Sequence, residues 1–124
     1  MDIPKITEAE YKLCKILWKN EPIKSGLLAK ICQEELGWKT TTTYTNIKRL
    51  EDRGIIANEK MIVRSLIKEE EAQIAGINEL LDTRFGGSYP DFLVAFAKSQ
   101  NLKESDIEEI RQMIDRIREK ENTK

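Results

Sequence analysis

The segment from Lys39 to Arg53 constrains the fold of this 124-residue chain most strongly. It contains four consecutive threonines, Thr40 to Thr43, which disfavour a helix because their β-branched side chains lose rotamer freedom there. Yet Thr43, Ile47 and Leu50 follow at i, i+4 and i+7, and Gly54 comes where a helix should end. A strand is the alternative. We predict a helix whose packing overrides its propensity.

Two further helices are predicted before this segment. Thr7 is a plausible N-cap, and an apolar stripe follows it: Ala9, Leu13, Ile16 and Leu17. The first helix should stop before Pro22. Ser25 can cap a second, short helix that ends at Gly37.

Two β-rich runs follow the third helix and predict a small hairpin over residues 55–67, with a turn that lacks glycine. Helical patterns then resume at Glu69, near Pro90 and near Ser105. The apolar stretch from Phe92 to Ala97 predicts a helix that is buried on most sides. The last helix has isoleucines at heptad spacing, which favours packing against a partner chain: Ile107, Ile110, Ile114 and Ile117.

Charge is distributed unevenly although the whole chain has a net charge of only −1. Residues 1–68 carry 13 basic and 9 acidic residues, whereas residues 69–124 carry 8 and 13. A basic first half suits a module that meets a polyanion at one end. The change of sign also places a domain boundary between residues 68 and 69.

The residue types and segments that the sequence lacks exclude several classes of function. The chain has no histidine, which excludes histidine ligands and histidine acid–base catalysis. Cys14 and Cys32 form no metal-ligand motif and fit the apolar stripes, so we expect no metal and no cofactor. With no apolar run of membrane-spanning length and no secretory signal, we expect a cytoplasmic protein. Because no nucleophile–base pair can use histidine and neither cysteine lies near an obvious activating group, we also expect that the protein is not an enzyme.

The third predicted helix carries a second stripe on its other side. Thr41, Thr45 and Lys48 step by 4 and 3 and lie roughly 200° around the helix from the apolar stripe. Tyr44 and Arg49 flank this polar face. Short hydroxyl side chains with cations can enter a major groove and contact bases or phosphates. An ordinary solvated helix face is the alternative, although threonine is a poor choice where only helix stability matters. Because a helix and a turn precede the third helix and a hairpin follows it, the order indicates a winged helix-turn-helix that binds double-stranded DNA.

The sequence also resembles the BlaI/MecI/CopY family of penicillinase-type repressors. The resemblance rests on the order and spacing of several short motifs: Ile6 to Glu10, Ile16-Leu17-Trp18, Trp38, Thr42, Thr45, Ile47, Arg49-Leu50 and Gly54. The segment from Asp91 to Ile110, which includes Asp106 to Ile110 of the last helix, also resembles the family's C-terminal region. The resemblance implies a mainly α protein with a winged helix of three helices and a small β-hairpin wing over residues 1–68. A helical dimerisation domain would occupy residues 69–124.

The resemblance further implies a function and its site residues. It implies a homodimeric repressor of a dyad operator, such as that of β-lactamase genes, whose DNA-binding helix carries Thr41, Thr42, Tyr44, Thr45, Lys48 and Arg49. In the antibiotic-responsive branch a membrane sensor metalloprotease leads to cleavage in the fifth helix, at a bond that matches Ala95–Phe96. The chain lacks the C-terminal cysteines of the copper-responsive branch, and its wing is shorter than usual. The alternative function is a helical adaptor that binds protein through a degenerate winged helix.

Overall fold

The computed structural model describes residues 3–122 and is mainly helical. The predicted order of three helices, a hairpin and three more helices is confirmed, and the structure adds one short strand. The elements are α1 (Glu8–Asn20), β1 (Ile23–Lys24), α2 (Ser25–Leu36), α3 (Thr40–Asp52), β2 (Ile56–Glu59), β3 (Ile62–Ser65), α4 (Glu69–Arg84), α5 (Tyr89–Ser99) and α6 (Glu104–Asn122).

The first three helices and the sheet form a winged helix around one core. The sheet is antiparallel, in the order β1-β3-β2, with Ile23 opposite Val63 and Asn58 opposite Val63 on its other side. The core is filled by residues from every one of these elements: Leu13, Cys14, Ile16, Leu17, Ile23, Leu28, Cys32, Ile47, Leu50, Ile55, Ile56 and Val63. Both cysteines therefore lie in the core, as predicted.

Two local predictions about α1 and α2 need correction. Ala9 is exposed, and the neighbouring Glu10 is buried in its place because its carboxylate pairs with Arg53. Ser25 does not cap α2: Lys24 is the N-cap residue, and the N–H of Ser25 donates to the carbonyl of Met61 at 2.8 Å. The predicted cap at Thr7 is confirmed, with a reciprocal hydrogen bond to Glu10.

The hairpin turns through Lys60 and Met61, which both have positive φ (51° and 68°). Two-residue hairpin turns of type I′ require this left-handed backbone, which glycine and asparagine adopt at a lower free-energy cost than other residues. The tip is tied to the start of α2 by the hydrogen bond between Met61 and Ser25. The wing is therefore a short hairpin that ends beside the first turn of α2.

The chain divides into two units, up to Glu79 and from Leu80, so that α4 contributes to both. Ala72 in the first turns of α4 is buried, and the linker before it is anchored by Trp18, whose indole N–H donates to the carbonyl of Ile67 at 3.0 Å. The boundary between residues 68 and 69 stays a prediction.

The second unit contains the end of α4 together with α5 and α6. The expected burial of residues 92–97 is wrong for the single chain, because no residue of α5 is buried. Leu93 and Val94 are 48% and 55% exposed. The remaining helices of residues 80–122 are too few to cover every apolar side of α5, although Phe92 packs edge-on against Phe85.

Candidate DNA-binding site

The inner face of α3 explains why a threonine-rich segment is helical. Thr43, Ile47 and Leu50 are buried, as the predicted stripe requires, and they close the core against α1 and α2. Asn46 is buried beside them, and its amide donates to the carbonyl of Thr42 at 2.9 Å. Burial of this face offsets the weak intrinsic helix propensity of the threonines.

The outer face of α3 presents all six residues predicted to bind DNA, each of them exposed: Thr41, Thr42, Tyr44, Thr45, Lys48 and Arg49. The hydroxyl of Thr45 donates to the carbonyl of Thr41 at 2.9 Å. The hydroxyl proton is therefore used inside the helix, and the hydroxyl oxygen can still accept a hydrogen bond from outside. The structure brings the six residues together on one helix.

Tyr44 lies where α3 approaches the first turn of α2. Its hydroxyl oxygen would be 3.9 Å from a Cβ atom placed on Gly26. The first turn of α2 also holds Ser25, which is hydrogen-bonded to the tip of the hairpin. The outer face of α3, the start of α2 and the hairpin tip are thus neighbours in the fold.

Lys48 has a partner that the sequence analysis did not identify. Its ammonium nitrogen lies 3.2 Å from a carboxylate oxygen of Asp52, one turn further along α3. The hydrogen bond and negative charge of Asp52, together with the charge of Glu51, raise the pKa of Lys48. Both members of the pair are exposed, so the polar face of α3 contains an anion as well as cations.

The C-terminal end of α3 is held by a second unpredicted pair. Arg53 follows α3 and forms an ion pair with the buried carboxylate of Glu10 at the start of α1. The same guanidinium donates to the carbonyls of Lys5 at 2.6 Å and Arg49 at 3.2 Å. The carboxylate of Glu10 also accepts the N–H of Thr7 at 2.9 Å. This pair fixes the end of α3 against α1.

Burial and the groups that contact Glu10 have opposite effects on the pKa of its carboxyl group. Burial by itself raises the pKa of this carboxyl, but the hydrogen bonds from Arg53 and Thr7 and the positive charge of Arg53 outweigh it. The net result is a pKa below the ordinary value of 4.5. Glu10 is therefore a carboxylate in the folded protein at neutral pH.

The residues predicted for dimerisation and cleavage all lie in the second unit. Ile107, Ile114 and Ile117 are 42%, 48% and 62% exposed, and Ile110 is half-buried. Ala95 is half-buried in α5, and Phe96 is 40% exposed while it stacks on Phe92 with ring centroids 6.0 Å apart. The single chain thus leaves an apolar stripe along α6 accessible.

No described helix is long and apolar enough to cross a membrane. Within residues 3–122 there is also no group of three or more histidine, cysteine, aspartate or glutamate side chains that could hold a metal ion. The two thiols are buried, and burial raises the pKa of Cys14 to about 12.

Comparison with known proteins agrees with this architecture. The profile of the penicillinase repressor family matches residues 6–116. The methicillin resistance regulatory protein MecI of Staphylococcus aureus is 22% identical over 115 residues, which cover 90% of this chain and 94% of MecI. The penicillinase repressor of Staphylococcus aureus is 26% identical over 119 residues, 93% of this chain and 94% of the relative.

Among solved structures, the chain is similar to the monomeric form of Bacillus licheniformis BlaI in complex with the blaP half-operator. That similarity has a TM-score of 0.49 and 26% identity, and it covers 56% of this chain and 89% of the other.

The winged-helix fold and the match to the penicillinase repressor family define a DNA-binding transcriptional regulator. The chain belongs to the penicillinase repressor family, whose members are DNA-binding regulators and not enzymes.

Proposed function

We propose that this protein is a homodimeric repressor that binds a dyad operator through α3. The single observation that carries the proposal is the outer face of α3, where six polar or cationic side chains are exposed opposite a fully buried face. In this proposal the side chains of Thr41, Thr45 and Tyr44 contact base edges. Lys48 lies on the same face of α3. Thr42 and Arg49 contact the sugar–phosphate backbone.

The N-terminus of α3 supports this placement. Its N-cap residue, Lys39, makes no side-chain capping hydrogen bond, and the first turn contains no acidic residue. The hydroxyls of Thr41 and Thr42 make no hydrogen bond within the part of the chain that the structure describes. Backbone N–H groups, hydroxyls and the helix dipole can therefore meet a phosphate at this end.

DNA binding is tested by fluorescence anisotropy with a labelled duplex from the region upstream of the protein's own gene. A shuffled duplex serves as competitor, at two salt concentrations. We expect a strong preference for the native duplex and a steep loss of affinity with salt. Weak binding without preference, also after selection from random sequences, would refute the proposal.

Variants of α3 separate the proposed roles. Lys48→Ala should weaken binding, whereas Tyr44→Ala and Thr41→Ala should change sequence preference. Lys15→Ala is the matched control, because Lys15 is an exposed lysine of α1 outside this face. Equal losses on all sequences for the three α3 variants would remove the base-reading assignment.

Dimerisation is proposed through the isoleucine stripe of α6, which the single chain leaves accessible. Ile114→Asp places a charge within the stripe, and Gln112→Asp places the same charge on the opposite side of the helix. Sedimentation velocity should show a monomer for Ile114→Asp and a dimer for Gln112→Asp. A dimer for both variants would contradict this interface. Loss of the dimer should also weaken operator binding by about 10²-fold or more, because bivalency is lost.

The regulated genes are proposed to include antibiotic-resistance genes, as the names of the relatives suggest.

Inactivation is proposed to occur by cleavage of Ala95–Phe96 under the control of a membrane sensor metalloprotease. Because no residue of α5 is buried in the single chain, local unfolding of α5 for a protease should require little free energy. Intact-mass analysis after exposure to a β-lactam should detect a fragment that ends at Ala95. A protein that stays intact while repression is relieved would refute cleavage.

A further inference from the structure

The polar stripe of α3 does not end at Lys48. Thr41, Thr45 and Lys48 step by 4 and 3, and a further step of 4 reaches Asp52, the last residue of the helix. At 100° per residue the four positions lie within about 60° of one another around the helix. Asp52 is therefore part of the face that is proposed to meet DNA, although its charge repels phosphate.

The stability of α3 does not account for an aspartate at this position. A carboxylate in the last turn opposes the helix dipole, which favours cations there. The order of the pair, with lysine four residues before the acid, is also the less stabilising of the two orders. Both side chains are mostly exposed (70% and 59%), so their ion pair adds little to folding.

The pair matters more for charge than for folding. Between Thr40 and Asp52 the helix carries two cations, Lys48 and Arg49, and two anions, Glu51 and Asp52, so its net charge is zero. Attraction to DNA of any sequence depends on cations that reach phosphates and release counterions. A lysine held 3.2 Å from a carboxylate on its own helix is not free to do so.

We infer that Asp52 is a specificity-determining residue of this repressor. It holds the ammonium group of Lys48 in the base-reading stripe and keeps it away from phosphates of unrelated DNA. This inference rests on the proposed function, because it requires α3 to read an operator. Asp52 acts through Lys48 and is a positioning residue.

The test compares Asp52→Asn with Glu51→Gln in the full-length protein. Glu51 carries the same charge one residue earlier, points about 100° away and forms no ion pair with Lys48. Affinity for the operator duplex and for a shuffled duplex is measured by anisotropy over roughly 50–200 mM salt. Circular dichroism verifies that each variant is folded.

For Asp52→Asn we expect affinity for the shuffled duplex to rise about 2- to 5-fold, with little or no gain on the operator. The salt slope on the shuffled duplex should grow by about 0.9, which corresponds to roughly a 3-fold steeper loss over this salt range. Glu51→Gln should leave the ratio of the two affinities near its original value. Asp52→Glu, which keeps the carboxylate, should restore most of the preference.

A second background isolates the role of Lys48. If Asp52 acts by holding Lys48, then Asp52→Asn should not change the affinity ratio in a protein that already carries Lys48→Ala. Equal gains on both duplexes, or the same change in the Lys48→Ala background, would mean simple charge repulsion and would overturn the inference. A wild-type protein without operator preference would instead overturn the proposed function, so the two failures are distinguishable.

Discussion

Removing the carboxylate of Glu10 should loosen the C-terminal end of α3. Glu10 is 2% exposed, and its carboxylate joins two groups: the guanidinium of Arg53 and the N–H of Thr7, the latter as part of the capping box at the start of α1. Glu10→Gln keeps the shape and an oxygen that can accept the hydrogen bond from Thr7. It removes the charge that pairs with Arg53.

The size of the effect follows from the burial of the two partners. Removal of one member of a fully buried pair costs about 3–5 kcal/mol because the other charge is left without a partner. The side chain of Arg53 is 33% exposed, and water can solvate part of its charge after the substitution. We therefore expect a loss of about 2 kcal/mol. For a unit of this size, that loss lowers Tm by about 8–16 °C.

The assay is urea and thermal unfolding followed by circular dichroism. Glu8→Gln is the matched control, since Glu8 lies in the same first turn of α1 but is exposed, and its change should stay within about 0.5 kcal/mol. A double-mutant cycle with Arg53→Met, which keeps the aliphatic stem, should give a coupling energy above about 1 kcal/mol. A coupling energy near zero would refute the reasoning that this pair holds α3.

Low pH should remove the stabilisation that the carboxylate of Glu10 provides. Because the pKa of Glu10 is lower in the folded protein than its ordinary value of 4.5, its carboxylate stabilises the fold above that value. The contribution is lost as pH falls through the folded pKa. The difference in stability between the wild type and Glu10→Gln should therefore be constant above about pH 5 and shrink below pH 4.5.

Three smaller predictions concern other parts of the chain. Replacing Lys60-Met61 by Asn-Gly should raise the stability of the first unit by about 1 kcal/mol in urea unfolding, since both residues have positive φ; an unchanged midpoint would contradict this. Gly76→Ala should stabilise α4 by about 0.5–1 kcal/mol, because an added Cβ meets nothing within 4 Å, and greater helicity should accompany it. Cys14 and Cys32 should react with a thiol reagent at pH 8 only after unfolding, and labelling of the folded protein would show that the core opens.

Local patterns were sufficient to predict most of the elements. Thr43, Ile47 and Leu50 identified α3 as a helix in spite of its threonines, because burial of one face outweighs propensity. The same periodicity placed the polar residues on the opposite face. Gly37 marked the end of α2 because its φ of 70° suits glycine.

The features that were missed depend on pairing across the chain. β1 has only two residues and is a strand because it pairs with β3, so Ile23 and Lys24 carry no local strand signal. Glu10 and Arg53 are 43 positions apart, and no spacing rule links them. The pair of Lys48 and Asp52, by contrast, is an i, i+4 pair that helix periodicity could have identified.

Trp18 and Trp38 are the two tryptophans of the chain, and both pack against the core of the first unit. Residues 80–124 contain none. Intrinsic tryptophan fluorescence therefore monitors only the first unit, while far-ultraviolet circular dichroism records helices of both units. Unfolding curves from the two signals, measured on one unlabelled sample, would coincide if the units unfold together and separate if they do not.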